Sequence, residues 1–173
     1  MEQDEWCNDV LNPLLNTLNP QERHVFGEDF ARKGDLSVFV PLAIKPDLSK
    51  RVPFALELVN ATYDAQRQIL FYLLGGLPRF TAAAFDATGN GGYLAEAAQL
   101  RYGSQMVDTV MLSAAWYREW MPKLKAEFDD GNIEIPRHMD ILDDLTKIQI
   151  RNGIPQIEKG SGKGNDGQQR HGD

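Results

Sequence analysis

The sequence predicts a mixed α/β fold. A five-stranded sheet starts as an antiparallel meander, continues as strand–helix units, and carries helices on both faces. Three observations predict it. Strand-like runs at 24–32, 36–44 and 52–60 are joined by short polar connections, which favours antiparallel neighbours. From Thr62 onward strand-like and helix-like segments alternate, which implies parallel pairing with right-handed crossovers. The 173 residues, 42% hydrophobic and 25% charged, suit one globular domain with a real core.

The elements follow in order. Trp6, Val10, Leu11, Leu14, Leu15 and Leu18 have helical spacing, with Pro13 interrupting the run. Residues 1–20 read as a linker or helical segment packed on a domain spanning 21–173. Lys33-Gly34-Asp35 makes a hairpin turn between the first two strands. Thr62 or Asp64 caps a helix reaching Leu74, which Gly75-Gly76 stops. Residues 80–85 form an apolar run without alternation, the pattern of a strand buried on both faces. A glycine-rich loop, a helix over 93–102 and a strand over 106–112 come next. Residues 116–128 are helical, with Pro122 opening a fresh helix. A short strand at 133–135, a helix over 140–150 and a strand at 154–157 complete the domain. Residues 159–169 are Gly-rich and polar and read as a loop. The element order is that of a ribonuclease H-like sheet.

Composition narrows the function. Cys7 is the single cysteine, which excludes an internal disulfide and fits a reducing compartment. No apolar run approaches ~18 residues, and the acidic N-terminus is no signal peptide. The net charge of −7 argues against nucleic-acid binding by the whole surface, though not against a metal-dependent site on DNA.

Acids at strand ends carry the chemistry. In open α/β sheets, sites lie where strands meet loops. Asp29 lies in the first strand, where a core-bound residue would be apolar, and Asp86 closes the fourth. Asp173 is the last residue and completes a trio. Crowded carboxylates hold their protons unless a cation sits between them. Mg²⁺ and Mn²⁺ prefer such oxygen ligands, and two ions ~4 Å apart serve phosphodiester hydrolysis. Arg32, Lys33, Arg170 and His171 flank these acids and suit DNA phosphates.

Gly27-Glu28-Asp29-Phe30-Ala31-Arg32-Lys33-Gly34-Asp35-Leu36-Ser37 resembles the first acidic motif of the nuclease domain in Mu-like phage terminase large subunits. Phe85-Asp86-Ala87-Thr88-Gly89-Asn90-Gly91 is similar to the second motif, and Arg170-His171-Gly172-Asp173 to the third. The segment Trp116-Tyr117-Arg118-Glu119 also resembles the family. The resemblance implies a ribonuclease H-like endonuclease that cuts double-stranded viral DNA during packaging in the cytoplasm of a bacterial host. It implies two divalent ions, Mg²⁺ or Mn²⁺, held by Asp29, Asp86 and Asp173, with Asp35 and Glu28 as accessory acids. It also implies a small subunit and a portal protein as partners. The family carries an ATPase domain before the nuclease and a helix after the third acid. Their absence here is expected of an excised domain or gene fragment, whose alternative role is non-catalytic docking.

Two other stretches carry partial patterns. Gly160-Ser161-Gly162-Lys163-Gly164 lacks the Ser or Thr that a phosphate-binding loop needs after its lysine. Residues 86–92 have the strand–acid–glycine–helix order of an S-adenosylmethionine loop, which makes a methyltransferase the alternative enzyme. The glycine spacing differs, and three strands precede it. Trp116, Tyr117 and Trp120 read as packing residues, His24 and His138 as surface or strand-end residues.

Overall fold

The computed structural model describes residues 3–30, 36–146, 148–151, 153–157, 162–163 and 169–170. The chain opens with a helical hook: α1 (Gln3–Trp6), a π-helical turn (Cys7–Leu11) and α2 (Asn12–Leu15). Pro13 follows just after the π-helical turn, so the widened turn precedes the residue that cannot donate to the ladder. Cys7, Leu11, Leu15 and Leu18 are buried in the main core, so this segment belongs to the packed body.

Strands β1 (Arg23–Asp29) and β2 (Leu36–Ile44) pair antiparallel from Arg23↔Ile44 to Asp29↔Val38. The expected third strand is broken into β3 (Lys50–Arg51) and β4 (Leu56–Val59), both pairing with β2. Pro53 lies in the break, where it cannot donate to a ladder. Helix α3 (Tyr63–Gly76) leads to β5 (Phe80–Asp86), α4 (Gly92–Tyr102) to β6 (Val107–Val110), and α5 (Ala114–Asp129) to β7 (Ile133–Glu134). Then come α6 (Met139–Thr146), the β8 (Ile148–Arg151) and β9 (Ile154–Ile157) hairpin, and the pair β10 (Gly162–Lys163) and β11 (Gln169–Arg170).

Among the described residues the main sheet has seven strands, ordered β6-β5-β1-β2-β3-β7 with β4 beside β2. Five were expected. The split third strand and the pairing of β7 along β3 account for the difference. The meander and the parallel β1·β5 and β5·β6 pairs have the anticipated mixed plan.

Alternation along the strands separates two faces. His24, Phe26 and Glu28 of β1 point the same way as Phe39 of β2 and Phe85 of β5. This face is buried under Ile69, Leu70, Leu73 and Leu74 of α3, Leu94, Ala95 and Ala98 of α4, and the N-terminal hook. Phe26 anchors it, with the Phe39 ring 5.7 Å away and the Phe85 ring 5.5 Å away. On the opposite face, Val25, Gly27, Asp29, Val38 and Val40 look across a cleft of ≈ 590 Å³ toward α5 and α6.

Several local expectations are corrected. Strand β1 ends at Asp29, not at residue 32. Strand β5 is not buried on both faces, because Thr81, Ala82 and Ala84 are exposed. Helix α3 runs through Gly75 and Gly76. A Cβ on Gly76 would collide with the Leu15 side chain, so this glycine admits the N-terminal hook. Pro122 lies inside one continuous α5, capped by Ser113, and starts no second helix. The helix expected over 140–150 ends at Thr146 and yields to β8. His24 is fully buried, its Nδ1 lying 2.8 Å from the Pro78 carbonyl oxygen, which assigns the ring proton to Nδ1. Among the described residues no helix is long and apolar enough to cross a membrane.

Candidate metal centre

The parallel ladder between β1 and β5 ends with Glu28 opposite Phe85. One residue further, Asp29 and Asp86 close their strands at matching positions. Neighbouring strands lie about 4.8 Å apart, and paired residues of a parallel ladder share a face. The two carboxylates therefore stand on one face, that of Gly27 and Ala84, and Asp29 also lines the cleft. Both residues are half-buried.

The Asp86 side chain is held from its own loop. Its Oδ1 accepts from the Thr88 N–H at 2.8 Å, a local turn that Asp favours. The Ala87 N–H donates to the Val110 carbonyl at 2.8 Å and the Leu112 N–H to Thr88 Oγ1 at 3.2 Å, tying this loop to the end of β6. A 3₁₀ turn at Gly89–Gly91 then feeds α4. A Cβ on Gly91 would fall on the Asp86 carbonyl oxygen. That glycine is used for close backbone packing, not to open space for a cofactor.

Glu28 directly precedes Asp29 on β1 and pairs with Phe85, the residue before Asp86, on the opposite, covered face. It is 7% exposed, and among the described residues neither carboxylate oxygen meets a partner at full hydrogen-bond geometry. Burial pushes its pKa up to about 9, and the charges of Asp29 and Asp86 push the same way. The Asp86 backbone amide opposes this only slightly. Glu28 is therefore a neutral acid at pH 7 while its neighbours carry no cation.

Excess negative charge at converging strand ends, all from oxygen donors, suits a hard divalent cation. Among the described residues, however, no group of three or more His, Cys, Asp and Glu side chains forms a ready ligand set. Asp173, Asp35, Arg32, Lys33 and His171 lie outside the described residues, as do Gly160, Ser161 and Gly164 of the glycine loop. Arg170 is described as part of β11, paired with Gly162. Trp116 and Tyr117 line the cleft, and Trp120 is exposed with Lys123 Nζ 3.8 Å from its ring centroid.

The sequence reading missed an aromatic row beside the acids. Phe30, directly after Asp29, stacks on Tyr63 at 5.5 Å and 11°. Tyr63 meets Tyr93 at 5.2 Å. The available signals were an aromatic following the acid and aromatics in the first turns of two helices, which local periodicity does not connect.

No family model matches the chain. Over 170 residues, 98% of its length, the chain is 62% identical to "Probable terminase, large subunit gp28" of Escherichia phage Mu and covers 31% of that protein. It is 52% identical over 169 residues, again 98% of its length, to the Mu-like prophage FluMu protein gp28 of Haemophilus influenzae, covering 33% of it. The chain thus spans about a third of the length of these curated relatives. Among solved structures, it is similar to the large terminase nuclease from thermophilic phage G20c with bound magnesium. The TM-score is 0.64 at 22% identity, over 86% of this chain and 77% of that one. The same nuclease with bound zinc and with bound cobalt is also similar, with TM-scores of 0.58 and 0.64. The HK97 bacteriophage large terminase gives a TM-score of 0.61 at 13% identity, over 92% of this chain and 39% of that one. These structural likenesses establish the fold, the ribonuclease H-like sheet of large terminase nucleases.

Proposed function

Since the chain belongs with the Mu-like terminase large subunits, as a segment of about a third of their length, we propose that it is a metal-dependent endonuclease domain cutting double-stranded DNA during packaging. The observation that carries this reading is the pairing of Asp29 with Asp86 on one face at the ends of adjacent parallel strands.

In this reading Asp29 and Asp86 hold two divalent ions, Mg²⁺ or Mn²⁺, with Asp173 as a third acid and Asp35 as an accessory. When bound, such ions supply Lewis-acid stabilisation of the charge developing on phosphodiester oxygens. Asp86 is presented in a fixed orientation by the Thr88 amide. Glu28, an accessory acid, lies on the covered face beneath the site rather than reaching into it. Arg32, Lys33, Arg170 and His171 contact DNA phosphates, which fixes the position of the duplex without reading its sequence. In the whole protein an ATPase domain, a small subunit and a portal bring DNA to this site in the host cytoplasm.

Plasmid cleavage in Mn²⁺ tests the reading. The chain converts supercoiled plasmid to nicked and linear forms, and EDTA stops it. Cleavage that persists undiminished in both Asp29→Asn and Asp86→Asn would falsify the assignment.

A further inference from the structure

The two acids sit at the ends of different strands, and a metal site on them is only as good as the device that fixes their separation. The β1·β5 ladder is described only as far as Glu28↔Phe85, one residue short of the acids. Each acid is the last residue of its strand, Asp29 paired with Val38 and Asp86 with Val110, and after them the backbones enter separate loops. A closed circuit of contacts joins those loops.

The circuit starts at Phe30, the residue after Asp29. Its ring lies nearly flat on Tyr63, with centroids 5.5 Å apart and planes at 11°. Tyr63 is the first residue of α3, whose entry is fixed by Thr62 Oγ1 accepting from the Ala65 N–H at 3.2 Å. The Tyr63 ring meets Tyr93 in the first turn of α4, with centroids 5.2 Å apart. The Tyr93 hydroxyl donates to Asp64 Oδ1 at 3.4 Å, which binds the first turns of the two helices again. The start of α4 then returns to the second acid. Gly91 packs so closely on the Asp86 carbonyl oxygen that a Cβ would overlap it, and that Cβ would also stand 3.4 Å from the Cβ of Phe30. Gly91 has φ −61° and ψ −24°, a conformation any residue adopts. Space, not backbone freedom, requires the glycine.

We infer that Phe30, Tyr63, Tyr93 and Gly91 are positioning residues that set the separation of Asp29 and Asp86 for divalent-ion binding. The inference rests on the nuclease reading of those two acids. The rings tie the end of β1 to the starts of α3 and α4, and Gly91 seats α4 on the end of β5. Enlarging or removing any member displaces one acid against the other.

The test compares the parent chain with Gly91→Ala, Tyr63→Leu and Gly75→Ala. Gly75 is a control, because a Cβ there meets nothing within 4 Å. Mn²⁺ affinity is measured by calorimetry, the Asp29–Asp86 separation in metal-free crystals, and the melting temperature in EDTA. Tyr63→Leu and Gly91→Ala weaken Mn²⁺ binding by about 10- to 100-fold, the range for supporting groups around a metal. They also shift the acids by about 0.5 Å or more, a displacement that spoils a preorganised site. Gly75→Ala changes neither. Parent-like affinity and parent-like separation in Tyr63→Leu overturn the inference, and this variant decides alone if Gly91→Ala does not fold. Should the parent itself bind no Mn²⁺, the nuclease reading falls, and the metal-free separations alone decide the positioning role.

Discussion

Asp29 and Asp86 end two neighbouring parallel strands at matching positions, one residue past the Glu28–Phe85 pair. Like charges placed this way repel, and their field, together with burial, pushes the pKa of the neighbouring Glu28 up to about 9.

Replacing either acid removes the ligand and keeps the shape. Asp29→Asn and Asp86→Asn each lower Mn²⁺-dependent plasmid cleavage by about 10²-fold or more, in line with losing a principal electrostatic group. Circular dichroism and melting in EDTA stay close to the parent. The quantity to measure is the initial rate of loss of supercoiled plasmid.

Divalent ions stabilise the folded chain by binding it and not the unfolded one. At Mn²⁺ a hundredfold above its Kd the gain is about 2.7 kcal/mol. Thermal melting with and without Mn²⁺ reads this directly. In Asp29→Asn the shift is lost.

Glu28 makes metal-free stability fall with pH. Its pKa is about 9 in the fold, against an ordinary 4.5. The native state thus keeps a proton that the unfolded chain releases. The contribution is full below the unfolded pKa and is lost as pH rises toward 9, by about 3 kcal/mol at pH 7. Glu28→Gln is neutral throughout, so its advantage over the parent grows from pH 5 to pH 9. Urea unfolding in EDTA at pH 5, 7 and 9 checks this. Mn²⁺ narrows the gap, because a cation beside Asp29 and Asp86 relieves the repulsion. Parallel stability curves in EDTA contradict the prediction.

The N-terminal hook is part of the core. Leu11 is a fully buried member of the main core, in a segment that packs on α3. Leu11→Ala therefore costs about 2–5 kcal/mol by urea unfolding, the range for a core leucine. A surface linker would lose almost nothing.

Much of the fold was legible because its signals are local. Strand β2 runs over the residues that alternation assigns, and Thr62 caps α3 through its own hydroxyl. The errors arose where a tertiary partner decides. Whether β5 is covered on both faces depends on which strands the later helices pack over, which no periodicity encodes. Pro53 splits a strand that composition alone reads as continuous. Pro122 lies inside α5, where local rules expect a helix start. In the site, acid at the ends of strands was readable as residue type, and the register supplies the adjacency. The Phe30–Tyr63–Tyr93 row joins three separate segments, so only the folded chain reveals it.

The most direct measurement is anomalous diffraction from a crystal of the chain soaked in Mn²⁺. The account predicts manganese peaks between the carboxylates of Asp29 and Asp86, within about 2–2.5 Å of their oxygens. A well-ordered site with both carboxylates resolved and no manganese between them would contradict it.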